Sequence, residues 1–349
     1  MKRILPILFL SLAIPSYSQD GQFSQYFASP VLINPAVVGV MPEIQFSGNY
    51  KQGGSPDNGT FVELMQASLS YPLKRLTASE EQYGGLGGSF FRERRGFQGI
   101  YVSQKILLSG AYTLKLTEFT NQFLSFGLQG GVVQTGLDPN QLRWGSQFNR
   151  FLSTNGGFDG SLPTEVLNAE QIYYPTFNFG VVYTLYDNDD YLIRDKSFTV
   201  GFSADNLNQP VTGSDPGGEI RKNILLKAFG TGKFEITPRF FLYPSFLILN
   251  NGGVNQYNGG VYLASFLQPS RSKTSAQLHL GSWYRVGDSF IVLGGIQIEQ
   301  IRLSGSLDLN TNEITQTEIF GEAPATYEIS LTYRFVRGKT VKKVSNPIF

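Results

Sequence analysis

Apolar and polar residues alternate along most of this chain with a period of two. Ile301, Leu303, Gly305, Leu307 and Leu309 are interleaved with Arg302, Ser304, Ser306, Asp308 and Asn310. Tyr327, Ile329, Leu331, Tyr333 and Phe335 alternate in the same way with Glu328, Ser330, Thr332 and Arg334. The pattern recurs from Leu124 to Val132 and from Ala276 to Tyr284. Successive side chains of a strand point to opposite faces, so each such segment predicts a strand with one greasy and one polar face. Strands are expected near 43–50, 60–71, 83–91, 104–116, 121–134, 175–186, 197–206, 222–235, 238–249, 256–267, 275–286, 288–298, 301–310 and 325–336, fourteen in all. Most reach the roughly 9–11 residues of a tilted transmembrane strand, and an even number suits a closed antiparallel sheet. The expected fold class is all-β: a transmembrane antiparallel β-barrel of about 14 strands, after a cleaved signal peptide.

The start of the chain predicts export. Lys2 and Arg3 precede an apolar run from Ile4 to Ile14, and Ser16-Tyr17-Ser18 supplies the small residues read by a signal peptidase. That run is too short for a helix that must cross with about 20 residues. The expected organisation is a signal peptide at 1–18, a periplasmic or lumenal segment at 19–42, a barrel at 43–336 and a basic periplasmic tail at 337–349. If the first strand rises from the periplasm, the longest connection, 135–174, lies outside, where outer-membrane barrels carry their long loops. Aromatics such as Tyr71, Tyr112, Phe240, Tyr284 and Phe335 fall toward strand ends, where they would form interfacial girdles. The other use of such residues is a soluble β-sandwich core, of unusual size for this many strands.

Composition narrows the chemistry. With 28 Lys+Arg against 27 Asp+Glu in 349 residues, electrostatic capture of nucleic acid is excluded as a natural reading. No cysteine means no thiolate nucleophile and no Cys-ligated metal, and the single histidine, His279, excludes multi-histidine sites. His279 sits on the polar face of its strand and is expected to fill a lumen rather than serve a Ser–His pair. Asp187-Asn188-Asp189-Asp190 lacks the glycine and distal glutamate of a calcium loop and reads as a solvated turn. Gly84-Gly85-Leu86-Gly87-Gly88 has no following Lys-Ser/Thr and opens a strand, so curvature explains it better than phosphate binding. No enzyme activity and no cofactor are expected.

Several stretches resemble the PorP/SprF family of the type IX secretion and gliding systems of Bacteroidetes. They are Gln19-Asp20-Gly21-Gln22-Phe23-Ser24-Gln25-Tyr26-Phe27-Ala28-Ser29-Pro30 with Leu32-Ile33-Asn34-Pro35-Ala36, then Trp144-Gly145-Ser146-Gln147, the turn Asp205-Asn206-Leu207-Asn208-Gln209-Pro210, and the closing Tyr327–Phe335. The chain departs from the family's common Phe-Gly-Asp-Gln at Trp144–Gln147, and has Asn206 where relatives often have histidine. The resemblance implies an outer-membrane barrel that holds other proteins: type IX secretion components and the C-terminal domain of a secreted cell-surface adhesin that it helps export or anchor. The runner-up is an outer-membrane channel for a hydrophobic or small solute, since fourteen strands enclose a usable lumen.

Candidate partner-binding residues cluster in two places. The long loop carries Trp144, Phe148, Phe151, Phe158, Tyr173 and Tyr174, large groups that often anchor interfaces; folding inward as a plug is the alternative. Arg92, Arg94 and Arg95 mark another outer loop, placed to meet acidic lipopolysaccharide or other outer-membrane lipid, with simple solvation as the alternative. Arg337, Lys339, Lys342 and Lys343 make the tail basic. The segment Phe23–Pro35 is expected to pack under or inside the barrel, and its two prolines argue against one continuous helix.

Overall fold

The computed structural model describes residues 21–54, 61–75, 82–117, 121–138, 145–152, 157–162, 171–187, 196–215, 218–267, 276–311 and 326–335. The stretch 1–18 expected to be a signal peptide, Trp144, Asn188–Asp190 and the basic stretch 337–349 lie outside the described residues. Fourteen strands form one closed sheet. They are β1 (Ile44–Gly54), β2 (Phe61–Lys74), β3 (Gln82–Gly96), β4 (Tyr101–Lys115), β5 (Asn121–Leu137), β6 (Ile172–Asp187), β7 (Lys196–Asp205), β8 (Leu225–Thr237), β9 (Phe240–Asn251), β10 (Val254–Phe266), β11 (Ala276–Arg285), β12 (Ser289–Ile298), β13 (Ile301–Asn310) and β14 (Thr326–Phe335). Each pairs with its neighbours in the chain, and the sheet closes where β1 meets β14, with Ile44 opposite Phe335 and Gln52 opposite Tyr327. Closure removes the open edge, so backbone N–H and C=O groups are satisfied in a layer that offers no water.

Alternation decides the faces. Gln45, Ser47, Asn49 and Lys51 of β1, and Glu328, Ser330 and Thr332 of β14, point inward and are buried. On the opposite face Leu108 of β4 and Leu128 of β5 are 70% and 68% exposed. The molecule is therefore inverted relative to a water-soluble protein, with polar groups inside and an apolar belt outside, as lipid requires.

The strands outrun the apolar pattern. β3 continues past the expected 83–91 to Gly96, β5 runs to Leu137, and β6 already begins at Ile172. Beyond the belt the ladder is carried by polar cross-strand pairs that alternation alone does not reveal: Glu63 stands opposite Arg94, with their charged groups 3.5 Å apart. The long connection is thus 138–171 rather than 135–174, and Arg92, Arg94, Arg95, Tyr173 and Tyr174 are strand residues, not loop residues. It contains a small ribbon pairing Phe148–Asn149 with Gly157–Phe158; a second ribbon, Val211–Asp215 with Gly218–Arg221, lies between β7 and β8. Both belong to the end of the barrel that carries the long connections, the outer end by the general rule for such barrels.

Ahead of β1, residues 21–41 enter the lumen. Pro30 and Pro35 each open a short new turn, Pro30–Ile33 and Pro35–Gly39, in place of one helix. Asn34 caps the second, its Oδ1 accepting from the amide of Ala36 at 2.9 Å. Gly21 lies beside Leu64 and Glu93 toward the outer end, whereas the carbonyl of Met41 is held by Gln82 at the inner end. This plug therefore descends through the barrel before the chain turns into β1. Ala36, Val37 and Val38 are completely buried within it.

In urea unfolding from lipid vesicles, Leu108→Arg at the middle of β4 is expected to lower stability by roughly 2–4 kcal/mol, and Val102→Arg near its outer end by about 1 kcal/mol or less.

Candidate functional site

The plug and the wall are built for each other. Inward glycines form a groove across the strands: a Cβ at Gly85, Gly127 or Gly180 would collide with Val38, Ala36 or Asn34 of the plug. The glycine run at 84–88 thus owes part of its composition to the close approach of the plug, where strand curvature alone was expected. Around the groove, short polar side chains satisfy the plug's carbonyls. Ser203 Oγ donates to Ile33 O at 2.7 Å, Ser125 Oγ to Ala36 O at 2.9 Å and Thr113 Oγ1 to Gly39 O at 2.8 Å. Asn34 Nδ2 donates to the carbonyls of Val181 and Phe202 at 3.1 and 2.9 Å, tying the plug to two adjacent strands. These bonds replace the water that a buried irregular backbone would otherwise lack.

Toward the outer end the plug is locked by charge. Lys51 Nζ lies 3.0 Å from Asp308, and Arg285 bridges Asp308 and Asp288 at 3.4 and 2.6 Å. Ser24 Oγ donates to Asp308 at 2.5 Å and accepts from Lys51 at 2.7 Å. Glu328 accepts from the backbone amides of Ser24 and Gln25 at 2.6 and 3.2 Å, and from Asn49 Nδ2 at 3.3 Å. Asp308 and Glu328 stand on the polar faces already visible in the sequence; their convergence on Ser24 and Gln25 needed the fold.

Below this cluster the plug meets aromatics. Phe27 stacks on Trp283 with centroids 5.3 Å apart and lies 5.8 Å from Tyr262, which stacks on Tyr243 at 4.4 Å. Trp283 Nε1 donates to Ser245 Oγ at 3.1 Å. His279 faces the lumen at 3% exposure with its ring against Tyr262, and neither ring nitrogen has a hydrogen-bond partner among the described residues. Among the described residues no serine hydroxyl is bonded to it. Among the described residues there is also no group of three or more His, Asp or Glu side chains that could hold a metal ion.

The expected partner residues separate into distinct positions. Phe148 and Phe158 pack edge to face across the small ribbon, with centroids 5.7 Å apart, and Phe151 beside them is 93% exposed. Asp159, next to this ribbon, accepts from the hydroxyl and amide of Ser161 at 2.6 and 3.0 Å, which holds its carboxyl below the usual range. Tyr173 and Tyr174 diverge on β6: Tyr173 is exposed and Tyr174 is buried facing the lumen. Arg94 pairs with Glu63 and lies over the Phe61 ring at 5.7 Å. Arg95 sits 3.5 Å from Glu93 and 4.5 Å over Tyr101, and Arg92 lies between them and the apolar belt on β3.

Removing one partner of a buried ion pair strands the other, so Asp308→Ala is expected to destabilise the barrel by about 3–5 kcal/mol. Adding Lys51→Met should restore part of that loss. The urea midpoint of the heat-modifiable gel band measures both.

Among curated proteins none matches the chain. Among solved structures it is similar to a FadL homologue from Pseudomonas aeruginosa, with 11% identity over 88% of this chain and 94% of that one and a TM-score of 0.45. It is also similar to the TodX deltaS2S3 mutant monoaromatic hydrocarbon channel (11%, 87% and 93%, 0.45) and to the Acinetobacter baumannii outer membrane protein Omp33 (10%, 85% and 100%, 0.32). The model of the family described as type IX secretion system membrane protein PorP/SprF matches residues 16–333. A closed barrel with an outward apolar belt, in a family of secretion-system membrane proteins, resides in the outer membrane. This chain belongs to the PorP/SprF family of type IX secretion system membrane proteins.

Proposed function

We propose that this barrel is a non-enzymatic scaffold of the type IX secretion system, which binds a secreted cell-surface protein such as a gliding adhesin and helps export or anchor it. The observation that carries this reading is the occupied lumen. Residues 21–41 run through it with their carbonyls bonded to the wall, so the barrel has no clear bore for a polypeptide. A barrel filled in this way works through its surfaces. At the outer end, Phe148, Phe151 and Phe158 offer exposed aromatic area of the kind that anchors interfaces, to the C-terminal domain of a client. Arg92 and Arg94 sit just above the apolar belt, suited to acidic lipopolysaccharide. Other secretion components meet the inner end.

The same filled lumen counts against a channel for a hydrophobic or small solute. In planar bilayers the intact protein is expected to give no stable single-channel steps, and deletion of residues 21–41 to produce them. Stable steps from the intact protein would favour the channel. A tagged copy extracted from native outer membranes in mild detergent is expected to retain a large secreted surface protein or type IX components. Phe148→Ala combined with Phe151→Ala should reduce that recovery severalfold, by analogy with aromatic hot spots. Repeated recovery of the barrel alone under crosslinking would reject the scaffold.

A further inference from the structure

A cavity of about 140 Å³ remains in the outer half of the lumen, between the plug and the inner faces of β3 to β10. Its floor is plug: Tyr26, Leu32 and Ile33. Its walls combine apolar side chains from separate strands, Phe91, Leu107, Val133 and Leu249, with as many polar ones. Three lysines line it against one aspartate. Lys227 is already engaged, 2.6 Å from Asp205 and 2.6 Å from the carbonyl of Leu32. Lys105 is different. Its ammonium lies 5.2 Å over the Phe91 ring, and it forms no ion pair among the described residues. Phe23 packs edge to face with that ring at 6.1 Å, and the neighbouring Gln22 lines the cavity with a side-chain amide that has no hydrogen-bond partner among the described residues.

Apolar side chains in such a lining give water few partners, and a partly buried cation without a counter-ion among the described residues can accept one. A ligand with an apolar body and one negative head answers both needs, and barrel mouths are common places for such sites. We propose that this cavity is a binding site for a small amphipathic carboxylate. The apolar body lies between Leu107, Val133 and Leu249, and the carboxylate meets Lys105, with the Gln22 amide as a second donor. Because the plug forms the floor, the site holds its ligand and does not pass it on. This assignment is independent of the scaffold reading, since it needs neither a client nor the exposed ribbon.

Calorimetric titration of the full chain in a neutral detergent tests it, with 2-naphthoate as probe and 2-naphthalenemethanol as its uncharged counterpart. Naphthoate is expected to bind saturably, one per barrel, and the alcohol about tenfold more weakly, the size of one lost charge-assisted hydrogen bond. Lys105→Gln should weaken naphthoate by about the same factor and leave the alcohol unchanged. Val133→Trp should fill the chamber and abolish both. Equal affinities of the two probes for the unaltered protein, or no saturable binding, would overturn the site without recourse to any variant. A tripeptide ending in a free phenylalanine carboxylate that outcompetes naphthoate would also overturn it, reassigning the chamber to a protein C-terminus.

Discussion

Fourteen strands enclose more space than their own inward side chains fill here, because so many of those side chains are Ser, Thr, Asn or Gly. Residues 21–41 occupy that space, and much of the wall follows from their presence. Glycine appears at Gly85, Gly127 and Gly180 where the plug backbone comes closest. Hydroxyls appear at Ser203, Ser125 and Thr113 where plug carbonyls need donors. Plug and wall are therefore one core, assembled from hydrogen bonds more than from apolar packing.

The packing changes character around the circumference. Where the plug faces β3 to β7 it lies almost backbone to backbone with the wall. Facing β9 to β12 it presents Phe27 to a stack of Tyr243, Tyr262 and Trp283, so the wider gap on that side is filled by rings. Both solutions fill the middle of the lumen with plug and wall atoms. The remaining space is confined mainly to the outer half, above Leu32 and Ile33.

Much of the barrel was legible in the chain because lipid imposes a strict period of two. Asp308 and Glu328 could be assigned to the inner face from their neighbours alone, and all fourteen strands lie where alternation predicts them. Strand ends were less legible. Once a strand leaves the hydrocarbon layer its outward face need not be apolar, so the Glu63–Arg94 pair extends the ladder without any hydrophobic signal. The plug announced itself only by two prolines and the density of its motif. That Asn34 reaches two strands, and that Ser24 meets residues about three hundred positions later, depends on closure and cannot be read from local spacing. The aromatic residues of the long connection were visible as a group, but only the ribbon reveals that Phe148 and Phe158 form a pair while Tyr174 turns inward.

The lock on the plug also ties the two ends of the chain together. Ser24 and Gln25 are held by Glu328 on β14, which closes the circle against β1, and by Asp308 on the adjacent β13. Early residues of the chain are thus fixed by nearly the last strands to be made. The final seam and the hold on the plug therefore draw on the same end of the chain, and a chain that stops short of β13 has neither the wall to close nor the carboxylates to hold residues 24 and 25.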